Sequence, residues 1–434
     1  MSLDSEIQSY LERLFPLHRS ITGKANRETL QILQEIIPLR RIEIPSGEKV
    51  FDWTIPPEWE IRNAWIRNAR NEILLDLKQS NLHVVSYSHP IRGRFSFREL
   101  RSHLHFLPEL PDAIPYRTSY YREAWGFCLS FRDFQALFRE DETYEVCIDS
   151  RLEPGALSCG EFLVPGKSDQ EILLSTYFCH PSLANDNLSG VLLTAFLARI
   201  LATSPHYHSF RIIFVPETIG AIAYCARNEE ALKRIKAGMV ITCVGGPGAF
   251  GFKASFQEAH PVNRIVEQVF HRRGLDFIRY PFDIHGSDER QYSSQGFRIN
   301  MVSITKDKYY AYPFYHTSLD NLNFVTAENI RATLEITLET VELLDQNLVY
   351  RNLQPCCEVM LSKHGLYPEL GGGQLPDPGQ LGDLDLILWI LFLCDGTRDL
   401  LEISERLRTP ISRLAVIARN LVQKGILECL RSTT

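Results

Sequence analysis

Two mainly apolar runs, Glu171 to Tyr177 and Phe210 to Val215, set the pattern of this chain. Runs of that length without polar alternation predict strands covered on both faces, as in a parallel sheet. Between them, Val191 to Ile200 carries apolar residues at helical spacing, giving the order strand, helix, strand. A shorter apolar run spans Ile299 to Ile304, and a long helical pattern covers Ala327 to Gln346. Ahead of the first strand, Ser5 to Leu17 and Asn26 to Ile37 read as helices. The texture then changes. Glu48 to Pro56, Glu60 to Ile66, Glu72 to Leu77 and Leu82 to Tyr87 are short strand-like runs separated by turn residues, which predicts a small antiparallel β unit. Prolines crowd Leu107 to Tyr121 and exclude continuous helix or central strand there. Its aromatics either wedge the β unit against the main body or line the rim of a site. Beyond Gln346, Gly365 to Gly379 reads as a linker. Three helical patterns follow, Asp385 to Cys394, Leu400 to Leu407 and Ile411 to Lys424, with Gly425 to Leu430 as a terminal strand. That order is the order of a winged helix.

Chemistry concentrates where the apolar runs end. His180 and Asp186 lie just beyond the first run and ahead of its helix. Ligands in open α/β sheets bind outside the carboxyl edges of the strands. A histidine and an aspartate in one loop are also compatible with a turn or a helix cap, so other segments have to decide. Glu217 follows the second run, and His316 sits in a polar loop, Pro313 to Asn321. Imidazole nitrogen and carboxylate oxygen suit zinc, and a catalytic zinc keeps one position open for water.

With these residues in order, the chain resembles the co-catalytic zinc aminopeptidase family, to which glutamate carboxypeptidase and glutaminyl cyclase are related. More closely, it resembles a bacterial aminopeptidase-like branch associated with polysaccharide biosynthesis, of which Gly286 to Tyr292 (Gly-Ser-Asp-Glu-Arg-Gln-Tyr) is a hallmark. The resemblance covers nearly the whole chain. It implies metal ligands at His180, Asp186 (bridging) and His316, with Glu217 as ligand or as general base. The family usually has two adjacent glutamates after the second strand, but here Pro216 precedes Glu217. It usually supplies an aspartate from the strand that this chain writes as Gly238 to Gly246, and here there is none. Cys243 could serve as a thiolate ligand or be a buried structural residue. One zinc is therefore expected rather than two. In the loop Gly286 to Tyr292, Asp288 could hold a substrate amine and Arg290 a substrate carboxylate, unless the two form an internal salt-bridge network. Tyr315 is a further substrate-side candidate, and Asp320 could orient His316 or cap its turn.

The expected fold is α/β: a zinc-aminopeptidase-like mixed sheet flanked by helices, with a small inserted antiparallel β domain and a C-terminal winged-helix domain. Residues 1–45 and 151–350 would form a discontinuous catalytic domain, 46–150 the inserted β domain, 351–380 a linker and 381–434 the winged-helix-like unit. Length agrees, since 434 residues exceed one ordinary core, and 44% hydrophobic with 23% charged residues is the balance of a globular protein. A formal charge of −7 argues against a general polyanion binder. The winged-helix unit adds no basic stripe, because residues 381–434 hold seven acidic and seven basic residues. Nucleic acid is thus not the expected partner, whereas the apolar positions Leu384, Ile387, Leu388 and Leu391 suit protein contact or a homo-oligomer. Deleting 381–434 is expected to leave the metal site occupied. Ten cysteines without a C-x-x-C framework, and an N-terminus lacking the basic-then-apolar order of a signal peptide, imply a cytoplasmic protein. No run is long enough to span a bilayer. The expected activity is zinc-dependent amide hydrolysis on a peptide or acylated small molecule. The alternatives are deacylation of an N-acylated sugar intermediate, or a non-catalytic scaffold or regulator.

Overall fold

A computed structural model of the protein describes residues 2–367 and 381–430. Its main sheet has eight strands in the order Arg40–Pro45, Ala156–Val164, Ser209–Val215, Glu171–Tyr177, Ala237–Val240, Asn300–Lys306, Phe250–Lys253 and Phe277–Tyr280. The four strands from Ser209–Val215 to Asn300–Lys306 are mutually parallel, and antiparallel partners join on either side. Within Ser209–Val215, Phe210, Ile212 and Phe214 enter one core while Ile213 and Val215 enter the other. Burial on both faces is why this strand reads as a mainly apolar run, with Arg211 its one charged position.

The first core lies under the helices Leu3–Leu14, Gly190–Leu201, Pro261–Arg272 and Ala327–Gln346. The second lies under Ile219–Arg227. Glu58–Arg67 pairs with Ile73–Asp76 and Thr143–Glu153, which in turn pairs with Ile91–Ser96, making a four-stranded antiparallel sheet with its own core around Ala64, Phe127, Tyr144 and Val146. The run Leu82 to Tyr87 does not form a strand. Ser80 caps a single tight turn over Asn81–His83, Val84 and Ser86 make only isolated bridges, and Tyr87 has φ +69°.

At the C-terminal end, helices Asp383–Leu393, Leu400–Leu407 and Ile411–Gln423 accompany a three-stranded antiparallel sheet. Its middle strand is Val349–Asn352, so part of the segment expected as linker is sheet; residues 368–380 of that segment lie outside the described residues. Leu386, Ile390, Leu414 and Ala418 belong to the same core as Leu334 and Val341. Removing residues 381–434 would strip Val349–Asn352 of both partners and expose that core. Among the described residues, no helix is long and apolar enough to cross a membrane.

Candidate metal centre and active site

The parallel strands deliver their following loops to one edge, and the site is built there. After Tyr177 the chain places Phe178, Cys179 and His180, then returns through Asp186 into the helix Gly190–Leu201. Asn187 pins this return: its amide donates to Thr176 Oγ1 (3.0 Å) and to the Tyr177 carbonyl (3.0 Å), and its Oδ1 accepts from Cys243 N (3.2 Å). A Cβ at Gly190 would stand 2.5 Å from the Ile241 carbonyl oxygen, so the loop can approach the neighbouring strand only with glycine there.

Asp186 is completely buried, and Tyr177 donates its hydroxyl to Oδ1. The other oxygen, Oδ2, lies 3.4 Å from His180 Nδ1 and 2.9 Å from His316 Nε2. Among the described residues, neither Asp186 Oδ2 nor His316 Nε2 has a hydrogen-bond partner. Ligand atoms of His180, Asp186 and His316 all fall within 4.8 Å of one another. Burial would raise the Asp186 carboxyl, but the two imidazoles hold it below the usual carboxylate range. Burial likewise opposes a charge on His180, and the Asp186 carboxylate overrides it and draws its pKa well up. Two imidazoles and a carboxylate that converge in this way, with one carboxylate oxygen and one imidazole nitrogen unpaired, are a donor set that a divalent cation fits.

Glu217 stands beside this group with Oε2 3.4 Å from His180 Nε2, and it remains partly open to solvent at 26% exposure. Its backbone amide donates to Cys179 Sγ (3.3 Å). Asp320 contacts neither nitrogen of His316. Its two carboxylate oxygens accept from the amides of Asn185 (2.6 Å) and Asp186 (3.0 Å), and the Tyr312 hydroxyl adds a third bond (2.9 Å). It therefore positions the Asp186 loop rather than the histidine, because its own loop crosses behind that backbone.

The remaining candidates separate. Tyr315 stacks on His316 with centroids 4.0 Å apart. Asp288 is fully buried; Oδ1 accepts from Thr218 N (2.7 Å) next to Glu217, while Oδ2 has no partner. Burial first, and then the charge of Glu217, push its carboxyl well up. Arg290 is not brought to the site: it is exposed, and its Nη1 reaches only the Ile284 carbonyl at 3.4 Å. No internal Asp288–Arg290 salt bridge forms either; the buried pair in this loop is Lys253 with Glu289, 2.8 Å apart. Cys243 is buried with Sγ 4.0 Å from Asp186 Oδ1, and burial together with that carboxylate pushes its thiol well up.

Tyr116, which the sequence did not single out as a site residue, meets both imidazoles edge-on, at 5.1 Å from His180 and 5.2 Å from His316. Its amide donates to the His316 carbonyl (2.8 Å), and its hydroxyl shares a 2.7 Å hydrogen bond with Tyr120. The proline-rich segment thus walls the centre. Proline density marked it as ordered, irregular backbone, but nothing local linked it to His316.

Known proteins share the fold that carries this site. The fold is that of zinc aminopeptidases: the Bacillus subtilis zinc aminopeptidase BSAP superposes with TM-score 0.57 at 13% identity, over 78% of this chain and 94% of that one. A peptidase M28 precursor from Shewanella amazonensis SB2B gives 0.54 at 12% identity, over 79% and 95%; at such identities the likeness is one of fold alone. The chain belongs to the family described as domain of unknown function DUF4910, whose model matches residues 8–347, and a winged helix-turn-helix model matches residues 348–429. A Clostridium acetobutylicum protein, "Putative polysaccharide biosynthesis protein with aminopeptidase-like domain", is 41% identical over 423 residues, 98% of this chain and 96% of its own. A crystal structure of a "putative peptidase" from Clostridium acetobutylicum is 40% identical, with TM-score 0.87 over 98% and 96%. The chain is thus a member of the aminopeptidase-like branch associated with polysaccharide biosynthesis.

Proposed function

We propose that the protein is a zinc-dependent amide-bond hydrolase that acts on a peptide or other acylated small molecule, with one zinc held by His180, Asp186 and His316. The observation that carries this reading is the convergence of Asp186 Oδ2 and His316 Nε2, both without hydrogen-bond partners, beside His180. Zinc in that position supplies a Lewis acid and acidifies a water. Glu217 is the general base rather than a fourth ligand: it stands outside the three-residue group, and its carboxylate is open on the solvent side. Its Oε2 takes a proton and returns it to the departing nitrogen. Asp186 remains an anion throughout, with Tyr177 fixing one oxygen and Asp320 fixing its backbone. Tyr315 offers a substrate-facing ring; Asp288, buried and with its carboxyl pushed up, is proposed to hold the Thr218 amide beside Glu217 rather than a substrate amine.

A second reading, deacylation of an N-acylated sugar intermediate by the same groups, is favoured by the name of the Clostridium acetobutylicum relative. For the C-terminal unit we favour protein contact over nucleic acid, since Ile411–Gln423 buries Ile411, Leu414, Ala415, Ala418 and Leu421 and pairs Arg413 with Asp383. Ten free thiols support a reducing, cytoplasmic setting.

The test is Glu217→Gln, assayed for zinc content and for hydrolysis of aminoacyl anilides and N-acylated amino sugars. The variant is expected to keep its zinc and lose at least about 10²-fold in kcat. Full activity with zinc bound would sink the role of Glu217.

A further inference from the structure

Beside Glu217 the edge of the site opens into a cavity of about 180 Å³ lined by Trp53, Tyr120, Tyr121, Cys179 and Thr218 among others. Those same three aromatics also line a broader cleft of about 760 Å³, whose rim carries Asp52, His89, Arg122 and Glu123. The broader cleft adjoins the small cavity through those shared rings. Its far part is built by the hairpin Lys49–Thr54 and by the loop after Pro115, not by the main sheet.

Trp53 is 39% exposed and Tyr121 50% exposed. They are set edge-on to each other at 5.3 Å and 72°, so a face of one ring stays available. Tyr120 is anchored below them through its hydroxyl contact with Tyr116, which itself touches both imidazoles. A pocket for a single aliphatic or aromatic side chain would be closed and apolar. This cleft instead alternates ring faces with charged groups, and its volume falls in the roughly 300–1,000 Å³ span of small-molecule sites.

We propose that the cleft bounded by Trp53, Tyr120 and Tyr121 is a carbohydrate-binding subsite, so that the substrate of the Glu217 centre is an amide carried on a glycosyl group. A pyranose is amphipathic in the way the cleft is. Its C–H face carries partial positive charge and stacks on the negative face of an aromatic ring. Its hydroxyl edge needs donors and acceptors, which Arg122 and His89, and Asp52 and Glu123, supply. The small cavity holds the unit bearing the scissile amide next to Glu217, and the larger one the rings beyond it. The inference rests on the hydrolase reading for the chemistry at Glu217, but sugar binding by the cleft can be measured without it.

The experiment presents the full-length protein to an array of oligosaccharides that includes N-acylated amino sugars, with immobilised apolar peptides as controls. Wild type, Trp53→Ala, Tyr121→Ala and Glu217→Gln are compared, each checked for unchanged circular dichroism. Wild type and Glu217→Gln are expected to retain at least one glycan. Trp53→Ala and Tyr121→Ala should each weaken that binding by about tenfold, the worth of one lost ring contact. The proposal is overturned by retention of no glycan, by equal retention in all four proteins, or by retention of the peptides alone. Glycan binding that survives while Glu217→Gln hydrolyses as fast as wild type would instead refute the hydrolase reading and leave the subsite standing.

Discussion

Asp320→Asn probes how the Asp186 loop is held. The native carboxylate accepts from the amides of Asn185 and Asp186 at 2.6 and 3.0 Å and from the Tyr312 hydroxyl at 2.9 Å, with no exposure to solvent. Asparagine keeps the volume but has a single acceptor oxygen, so one backbone amide is left facing an N–H group. An orphaned buried amide costs about 1–3 kcal/mol, and loss of charge assistance in the remaining bonds adds about 1 kcal/mol. Burial, only partly countered by the Asn185 amide, raises the Asp320 carboxyl to about 7, so removing the anion recovers part of that loss at pH 8. The net is a destabilisation of about 2 kcal/mol, read by urea unfolding at pH 8 with chelator present so that metal linkage does not contribute. In the same variant zinc affinity should fall by roughly 10–100-fold, the usual effect of loosening a residue that orients a ligand. Unfolding within about 0.5 kcal/mol of wild type, together with unchanged zinc affinity, would refute the assignment of Asp320 as the anchor of this loop.

Other perturbations test different parts of the structure. Lys253 and Glu289 are each about 1% exposed and 2.8 Å apart, and Lys253 also donates to the carbonyls of Asp283 and His285. Lys253→Met should therefore cost about 3–5 kcal/mol in urea unfolding, and Lys253→Met/Glu289→Leu distinctly less, because the second change removes the stranded charge. If the double variant is no more stable than the single one, the pair does not act as a unit. His18 packs edge-on against Trp59 at 5.6 Å, and burial lowers its pKa to about 4. A folded-state value below the unfolded 6.5 means that the unfolded chain binds the proton first, so stability present above pH 6.5 is lost as pH falls toward 4, by at most about 3 kcal/mol. His18→Phe should flatten that part of the stability profile, and an unchanged acid slope would contradict it.

The strands that read as mainly apolar runs were legible because both of their faces are covered, as Phe210, Ile212 and Phe214 on one side and Ile213 and Val215 on the other show. The same composition misled at Leu82 to Tyr87. There burial comes from tertiary packing of an irregular segment, and apolar content alone does not report the φ of +69° at Tyr87. At the site, His180, Asp186 and His316 were visible because each directly follows a recognisable strand or a local motif. Asp320 reads from the sequence as orienting His316 or capping its turn, yet it bonds to backbone more than 130 residues away, a pairing set by how two loops meet. Asp288 and Arg290 looked like partners, but they sit two apart at the start of the short helix Glu289–Tyr292, and residues so spaced do not share a face. Tyr116 reaches the imidazoles from the proline-rich segment, a contact with no local signature.

The central claim is that His180, Asp186 and His316 hold one zinc. Its most direct test is elemental analysis of the purified full-length protein and of His180→Ala and His316→Ala, combined with anomalous diffraction at the zinc edge. The account predicts one zinc per chain in the wild type, located among those three side chains, and none at stoichiometric level in either variant. Zinc content unchanged in both variants, or an anomalous peak elsewhere in the molecule, would contradict it.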